Sequence, residues 1–447
     1  MNAFLRGPHG RRLFSVLAAV AVLELVTGPP GNTLTPMAGI DGSFAEPSPF
    51  FGLFQTRRWV VFLFIALVVY GLWSLWLLRG AQIKSSVSKL TETPRAITRR
   101  RPVRWGLYAA LLIVALLLPR IITDPFWQAA MVEQIAVYVL LAMGLNVVVG
   151  FAGLLDLGFV AFYAIGAYTT AWVTGSLPAT APFGIHFNNF YAIPIAIALA
   201  MGAGIILGAP TLRLRGDYLA IVTLGFGEII TIFANNLYGI TGGSQGTKQI
   251  PHFSLHLGPL KYMWGLTPVP YYYLTIVFVI LFFFGFRLLE HSRVGRSWTA
   301  IREDEVAAES VGINPLKYKV MAFAIGASTA GFAGVVTASQ SNTIFPSSFT
   351  IQFSINILVL VIFGGMGSIA GVVLGAIVIQ TGSMYLLHSP PSGYQPQDLY
   401  IYLGAILMIM MIFRPVGLLP SKRRRREIGL SEAGEGHMNE VLTGDVP

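Results

Sequence analysis

The sequence of 447 residues contains no cysteine. Disulfide frameworks, thiolate metal sites and cysteine nucleophiles are therefore excluded. Charged residues are also scarce, at 11%, whereas hydrophobic residues make up 54% of the chain. Soluble domains carry about 25% charged residues, so this composition excludes an ordinary water-soluble fold and indicates a membrane protein.

Long apolar segments predict an all-α polytopic membrane protein. A transmembrane helix needs roughly 20 consecutive, predominantly apolar residues. Nine segments meet or approach that length: residues 59–78, 105–122, 135–151, 154–173, 191–208, 218–238, 271–289, 320–340 and 369–387. Three shorter or weaker segments are residues 13–26, 353–363 and 399–413. Together they predict about ten to twelve transmembrane helices.

Basic residues are concentrated in a few segments. Eight Lys and Arg residues lie between positions 79 and 104, and a second basic block occupies 422–426. Since Lys and Arg are enriched in cytoplasmic loops, these segments are predicted to be cytoplasmic, together with Arg213, Arg215 and residues 287–319. The net charge of +10 therefore indicates membrane orientation and not nucleic-acid binding. Twelve spans with both termini inside satisfy this pattern.

The chain is predicted to have three parts. Residues 1–104 form an amino-terminal two-span extension plus a basic cytoplasmic linker, residues 105–420 form the core, and residues 421–447 form a basic, then acidic, disordered tail. Residues 13–26 also fit a signal peptide, but an uncleaved span is favoured because no clean cleavage site precedes the Gly28-Pro29-Pro30 cluster. The motif Gly-Phe-Ala-Gly at 150–153 recurs at 331–334, as an internal duplication of the core would show.

The sequence lacks the patterns of an active site. No Gly-rich phosphate loop, HExxH motif or Ser/His/Asp arrangement occurs, so no catalytic residue and no metal site is predicted. We interpret the chain as a transport subunit, not an enzyme, without its own ATPase site. Few ionisable residues fall in the spans, chiefly Asp156 and Glu228, whereas a proton- or sodium-coupled carrier would bury more of them. An external energy source is favoured; a secondary carrier or channel for small polar solutes is the alternative.

Polar residues inside two spans are candidates for a translocation pathway. They are Asp156, Glu228, Asn235 and Asn236. Asp156 lies among glycines, where a broken helix would bring backbone dipoles to the carboxylate; a structural carboxylate at a span end is the alternative. The other three favour a pathway-facing stripe, because lipid-facing polar groups are penalised. Asn146 and Asn356 are interpreted as interhelical hydrogen-bonding residues.

Residues 287–319 contain helix-capping signals between two apolar segments. Ser297 is a candidate N-cap for a helix over residues 298–311, and Gly312 fits a left-handed helix stop. Asn314 and Pro315 are suited to start the next helix as its cap and first residue. A solvated connection is the alternative, but two caps around a turn exceed what a loose loop needs. The segment is therefore predicted to be a surface helix that docks on a partner.

The same segment resembles the EAA-type loop of ABC importer permeases. Residues 305–312 read Glu-Val-Ala-Ala-Glu-Ser-Val-Gly, with Ala308 correctly placed before Gly312 and Val306 inserted between Glu305 and the alanine pair. The resemblance implies a coupling helix that docks on an ATPase. The residues that it implies for this contact are Arg302, Glu303, Asp304, Glu305, Ala307, Ala308 and Gly312.

A series of motifs extends over residues 135–420. They are Ala-Met-Gly-Leu-Asn at 142–146, Asp-Leu-Gly at 156–158, Gly-Ala-Tyr at 166–168, Leu-Arg-Leu-Arg-Gly-Asp-Tyr-Leu-Ala at 212–220, Thr-Gly-Gly at 241–243, Arg-Glu-Asp-Glu at 302–305, Gly-Gly-Met-Gly-Ser at 364–368 and Arg-Pro-Val-Gly-Leu-Leu-Pro at 414–420. Their order and spacing resemble the LivM-type permeases of branched-chain amino acid ABC importers, and the two-span extension resembles one found in part of that family.

This family resemblance implies a multi-pass subunit of the bacterial inner membrane. The implied partners are a second, similar permease, two cytoplasmic ATPases and a periplasmic binding protein that delivers leucine, isoleucine or valine. ATP is hydrolysed by the partner subunits, and no cofactor bound by this chain is implied.

Overall fold

The structure, a computed structural model, describes residues 112–178, 188–211, 217–257, 260–388, 398–414 and 417–419. The chain divides into two compact units, residues 1–116 and 117–447. The predicted amino-terminal extension and basic linker, Arg213, Arg215 and the carboxyl-terminal tail lie outside the described residues. Predictions about these segments and about the domain boundaries stay predictions.

The described residues are predominantly helical. The helices are α1 (Leu112–Ile121), α2 (Pro125–Phe151), α3 (Val160–Val173), α4 (Asn189–Thr211), α5 (Asp217–Asn236), α6 (Tyr238–Thr241), α7 (Pro268–His291), α8 (Arg293–Glu303), α9 (Glu305–Ser310), α10 (Pro315–Ser341), α11 (Ile351–Gly364), α12 (Ile369–His388) and α13 (Asp398–Phe413). Within this part of the chain, seven helices are long and apolar enough to cross a membrane, namely α2, α4, α5, α7, α10, α12 and α11 with the turn before it. Shorter apolar helices include α1 and α3. The prediction of an all-α polytopic membrane protein is confirmed.

Two short antiparallel ribbons lie in the connections between helices. β1 (Thr247–Lys248) pairs with β4 (Thr343–Ile344), and β2 (Ser254–Leu257) pairs with β3 (Leu260–Met263). The first ribbon joins the segment after α6 to the segment after α10. His252 strengthens this junction, because its Nδ1 lies 2.9 Å from the Tyr271 hydroxyl and 2.8 Å from the Ser339 carbonyl oxygen.

Helix α10 lies at the centre of the bundle. It packs most extensively against α4 and α3, and also against α2. Glycines allow this close approach: a Cβ at Gly166 would overlap the backbone of Gly331, and a Cβ at Gly144 would overlap the Thr329 hydroxyl. Small residues hold membrane helices together because they let backbones approach closely in lipid. Residues 326–334 of α10 therefore form a close-packing surface.

Helix α2 begins earlier than the sequence predicted. The apolar segment starts at residue 135, but the helix starts at Pro125, where Asp124 Oδ1 accepts a hydrogen bond of 2.9 Å from the Phe126 N–H. Proline suits the first helical position because its missing N–H is not needed there. The helix then contains two π-helical turns, Met131–Ala136 and Asn146–Phe151. Such turns are rare and occur frequently at functional sites.

The predicted span at 154–173 is helical only from Val160, so the predicted start is wrong. Gly153 has a φ of +72°, which ends the helical path, and residues 152–159 connect α2 to α3 in a mostly non-helical conformation. The first Gly-Phe-Ala-Gly motif therefore crosses a helix end, whereas the second lies inside α10. The two copies do not occupy equivalent backbone conformations, and an internal duplication stays a prediction.

Candidate functional site

The predicted docking segment folds as two short helices. Ser292 caps α8, since its Oγ accepts a hydrogen bond of 3.3 Å from the Gly295 N–H. The prediction of one helix capped by Ser297 is wrong: Ser297 lies inside α8, and its hydroxyl donates to the Arg293 carbonyl. Asp304 separates α8 from α9, because its backbone is extended, with a φ of −154°. Short polar side chains compete with helix continuation in this way.

Helix α9 is capped at both ends. Asp304 Oδ1 accepts hydrogen bonds from the N–H groups of Val306 and Ala307 at 2.9 and 3.0 Å. At the other end Gly312 has a φ of +87°, and the Ile313 N–H donates to the Ala308 carbonyl over 3.1 Å. Asn314 is the N-cap of α10, as predicted: its Oδ1 accepts a hydrogen bond of 3.1 Å from the Lys317 N–H, and Pro315 is the first helical residue. The predictions for Gly312 and for the start of α10 are confirmed.

Two buried side chains seat this segment on the bundle. Lys319 Nζ lies 2.8 Å from Glu305 Oε1, and only 5% of the Lys319 side chain is exposed. Trp298 is fully buried; its Nε1 donates to the Tyr318 carbonyl over 2.7 Å, and its ring stacks on Phe151 at a centroid distance of 6.3 Å. An unpaired ammonium group would be costly at this position, so Glu305 holds α9 against α10. We call the end of the bundle that carries α8, α9 and the start of α10 the loop end.

Arg302 connects the segment to two further elements. Its Nη1 donates to the Gly150 carbonyl in the second π-helical turn of α2. A Cβ at Gly153 would lie 2.6 Å from Arg302 Cγ, and the Gly367 position lies near the guanidinium. Gly367 donates its N–H over 2.9 Å to Asn146 Oδ1, so Asn146 bonds α2 to a turn and not, as predicted, to another helix. The guanidinium therefore joins α8 to the end of α2, beside the turn between α11 and α12.

The predicted docking residues divide into two groups. Ala308 is buried and Glu305 is half-buried in its ion pair, so both face the bundle. Arg302, Glu303, Asp304, Ala307 and Gly312 are exposed. Sequence reasoning missed two large apolar side chains beside them: Val306 is 62% and Val311 is 73% exposed. We call Val306, Ala307, Glu309, Ser310 and Val311 the docking surface; all five are exposed.

Asp156 lies in the non-helical connection before α3. It is fully buried, its Oδ1 accepts a hydrogen bond of 2.9 Å from the Gly158 N–H, and its Oδ2 has no hydrogen-bond partner among the described residues. The Leu157 N–H donates over 3.1 Å to Thr223 Oγ1 on α5. Gly158 approaches α5 so closely that a Cβ would overlap the Thr223 carbonyl. The broken helix predicted around Asp156 is confirmed.

The other pathway candidates lie elsewhere on α5. Glu228 and Asn235 are half-buried and share one stripe, because seven residues complete nearly two helical turns. Asn236 is exposed, and the amides of Asn235 and Asn236 donate to carbonyls of their own helix. Thr223, which faces Asp156, lies five residues before Glu228 and about 140° away around the helix. The structure therefore does not bring Asp156 and Glu228 together.

A carboxylate that sequence reasoning missed lies on α2. Glu133 is half-buried in the first π-helical turn, and its Oε1 accepts a hydrogen bond of 3.1 Å from Gln340 Nε2. The predicted span started at residue 135 and so excluded it. Asp124 as a cap, followed by Pro125 as the first helical residue, was the signal that would have extended the helix. No group of three or more metal-ligating side chains occurs in the part of the chain that was described.

Comparisons with known proteins agree on one family. Residues 129–413 match the family model described as the permease component of a branched-chain amino acid transport system. The chain is 40% identical over 333 residues to the high-affinity branched-chain amino acid transport system permease protein LivM of Escherichia coli strain K12, covering 70% of this chain and 74% of that protein. It is 38% identical to LivM of Salmonella typhimurium, covering 72% of this chain and 77% of that protein. It is 25% identical to the permease protein LivH of E. coli strain K12, covering 63% of this chain and 91% of that protein. No solved structure matches the chain.

Proposed function

Because the chain belongs to the family of permease components of branched-chain amino acid transport systems, we propose that it is the membrane subunit of an ATP-driven importer for leucine, isoleucine and valine. In this proposal the chain lies in the bacterial inner membrane and pairs with a second permease, two cytoplasmic ATPases and a periplasmic binding protein. The partners hydrolyse ATP, and the chain itself has no ATPase site. The observation that carries the proposal is the capped helix α9, held rigidly at the loop end with apolar side chains turned outward.

The docking surface fits an ATPase partner in both rigidity and composition. Exposed apolar residues flanked by charged ones are typical of protein interfaces. Two features keep α9 from moving independently, namely its caps and the Glu305–Lys319 ion pair. An ATPase that pulls or pushes on Val306 and Val311 therefore moves α10 through Lys319 and α2 through Arg302. The docking surface, α2 and α10 therefore move together.

The exposed stripe of α5 supports a pathway between two permease subunits. Glu228 lies near the middle of this 20-residue helix and is only half-buried by its own chain. A charged residue at the centre of a bilayer costs about 2.5 to 3.5 kcal/mol when it faces lipid. The stripe with Glu228 and Asn235 therefore faces water or protein in the assembled transporter. A second permease placed against α5 would enclose a polar path there.

Glu228→Gln should slow transport without changing the apparent affinity. Loss of the charge removes a polar contact on the path, and we expect uptake of leucine to fall about tenfold, or about 1.4 kcal/mol in the barrier. The half-saturating substrate concentration should stay within about twofold, because the binding protein would set it. Initial rates in proteoliposomes over a range of leucine concentrations measure both quantities.

Glu290→Gln is the matched control, because it makes the same substitution at another half-buried carboxylate. Glu290 lies at the end of α7 and is not a pathway candidate, so this variant should transport at the normal rate. An unchanged rate for Glu228→Gln, or tight leucine binding by this chain alone, would refute the pathway assignment.

A further inference from the structure

The hydrogen bond between Glu133 and Gln340 leaves one buried acceptor, the side-chain oxygen of Gln340, unused. Gln340 Nε2 donates to Glu133 Oε1 over 3.1 Å, so the amide oxygen Oε1 of Gln340, which can only accept, makes no bond to the carboxylate. That Oε1 has no hydrogen-bond partner among the described residues, although only 5% of Gln340 is exposed. A buried amide oxygen without a partner costs free energy, so a donor at this position would be stabilising.

Glu133 also lacks an ion-pair partner in the part of the chain that the structure describes. The ion pairs formed within the described residues are Lys319–Glu305 and a longer contact of His388 with Asp124, and neither includes Glu133. Carboxylates inside membrane spans are expensive and are usually paired. A half-buried carboxylate beside an unused carbonyl oxygen is therefore suited to a group that carries both a positive charge and N–H donors.

The pair lies at the end of the bundle opposite the loop end. Gln340 is the penultimate residue of α10, about 33 Å along the helix from Tyr318, which contacts Trp298. Glu133 is eight residues from the start of α2, in its first π-helical turn. If the docking surface is cytoplasmic, the pair faces the side from which a binding protein delivers substrate.

Aromatic side chains lie within electrostatic range of Glu133. The Tyr163 hydroxyl is hydrogen-bonded to Thr337, and the charge of Glu133 acts on Tyr163. Its ring stacks on Phe353 at a centroid distance of 5.1 Å and meets the Phe349 ring edge-on at 5.4 Å. Thr337 lies one helical turn before Gln340 and is half-buried. The site thus combines a negative charge, hydrogen-bond acceptors and an apolar wall.

We propose that Glu133 and Gln340 bind the α-ammonium group of an amino acid at the outer entrance of the permease, with the aliphatic side chain against Tyr163 and its aromatic neighbours. The carboxylate supplies the opposite charge, and Gln340 Oε1 accepts an N–H from the same group. This inference rests on the proposed function for the identity of the amino acid. The cation site itself rests on the geometry of the two side chains.

Charge-selective thiol modification tests the site without relying on transport. The chain has no cysteine, so Thr337→Cys places a single thiol in it, one helical turn before Gln340, the hydrogen-bond partner of Glu133. In the complete transporter we compare its reaction rates with 2-aminoethyl methanethiosulfonate, a cation, and 2-sulfonatoethyl methanethiosulfonate, an anion. Adding Glu133→Gln should lower the cation-to-anion rate ratio about tenfold, since one unit charge several ångströms away acts oppositely on the two reagents.

Glu290→Gln is the matched control. Glu290 is likewise half-buried near the end of a spanning helix, but it has the basic residues His291 and Arg287 as neighbours. It lies at the loop end of α7, so its replacement should leave the ratio unchanged. An equal ratio with and without Glu133, or a thiol that neither reagent reaches, would overturn the proposal.

Leucine uptake separates this inference from the proposed function. Glu133→Gln should reduce uptake about tenfold, whereas Glu290→Gln should not. If the unmodified transporter takes up leucine and Glu133→Gln changes neither uptake nor the thiol ratio, the ammonium site is wrong and the transport function stands. If charge selectivity is present but no branched-chain amino acid is transported, the cation site stands and the proposed substrate is wrong.

Discussion

Val306→Asp should abolish leucine uptake while the chain remains folded in the membrane. Val306 is 62% exposed on the docking surface, so the new carboxylate lies in water until a partner covers it. An unpaired carboxylate buried in an interface costs about 2 to 5 kcal/mol, which corresponds to a loss of about 30-fold or more in ATPase affinity. Co-purification of the ATPases with the permease pair and uptake in proteoliposomes measure the two effects.

Val306→Ala is the control for this substitution. It removes the same side chain without adding charge, so the ATPases should still co-purify and uptake should fall by less than about fivefold. Expression level and detergent-solubilised yield report on folding for both variants. Normal ATPase recovery and normal uptake in Val306→Asp would show that the docking surface does not contact the ATPase.

Arg302→Ala should uncouple ATP hydrolysis from transport. The guanidinium bonds to the Gly150 carbonyl, and a hydrogen bond from a charged group contributes about 1.5 to 3 kcal/mol. Without it, α8 and α9 still dock but no longer hold the end of α2. We expect uptake to fall about tenfold or more while the ATPase activity of the assembled complex is largely kept, so that fewer leucine molecules enter per ATP hydrolysed.

Arg296→Ala is the matched control on the same helix. Its Nη1 also donates to a backbone carbonyl, that of His291 at 3.1 Å, but that carbonyl belongs to the adjoining end of α7. Loss of this local bond should leave the ratio of transport to hydrolysis unchanged. Equal ratios in Arg302→Ala and Arg296→Ala would contradict a role for Arg302 in connecting α8 to α2.

Much of the fold was predictable because it follows from short-range signals. Apolar segments of membrane length predicted the helices, and Gly312 with Asn314 and Pro315 predicted the turn between α9 and α10. These signals work because backbone groups in lipid must be satisfied within a helix, and because a left-handed turn and a fixed φ suit few other residues.

The predicted starts of α2, α3 and α8 were wrong because tertiary contacts decide where these helices begin, and the local sequence allows more than one start. Both Ser292 and Ser297 are suitable N-caps, and only the end of α7 selects Ser292. The start of α3 at Val160 depends on the long-range bond from its N–H to Ser354 Oγ, at 3.1 Å. Hydropathy placed Glu133 outside a span, although α2 continues past it.

The sequence likewise did not predict which of the docking residues face the bundle and which are exposed. The family pattern marks Glu305 and Ala308 together with exposed neighbours, but it does not tell which side chains face the bundle. Lys319, fourteen residues after Glu305, makes the difference, because its buried ammonium requires that carboxylate. The docking segment was predicted from its charged and helix-capping residues. The exposed Val306 and Val311 are neither, so they were not predicted to belong to the docking surface.

Leucine uptake by the reconstituted transporter tests the central claim most directly. Proteoliposomes containing this chain, the second permease and the two ATPases, with the binding protein outside, are supplied with ATP on the ATPase side. Uptake should require ATP, the ATPases and the binding protein, and a proton or sodium gradient should not replace ATP. Gradient-driven uptake by this chain alone would contradict the account and would identify it as a secondary carrier.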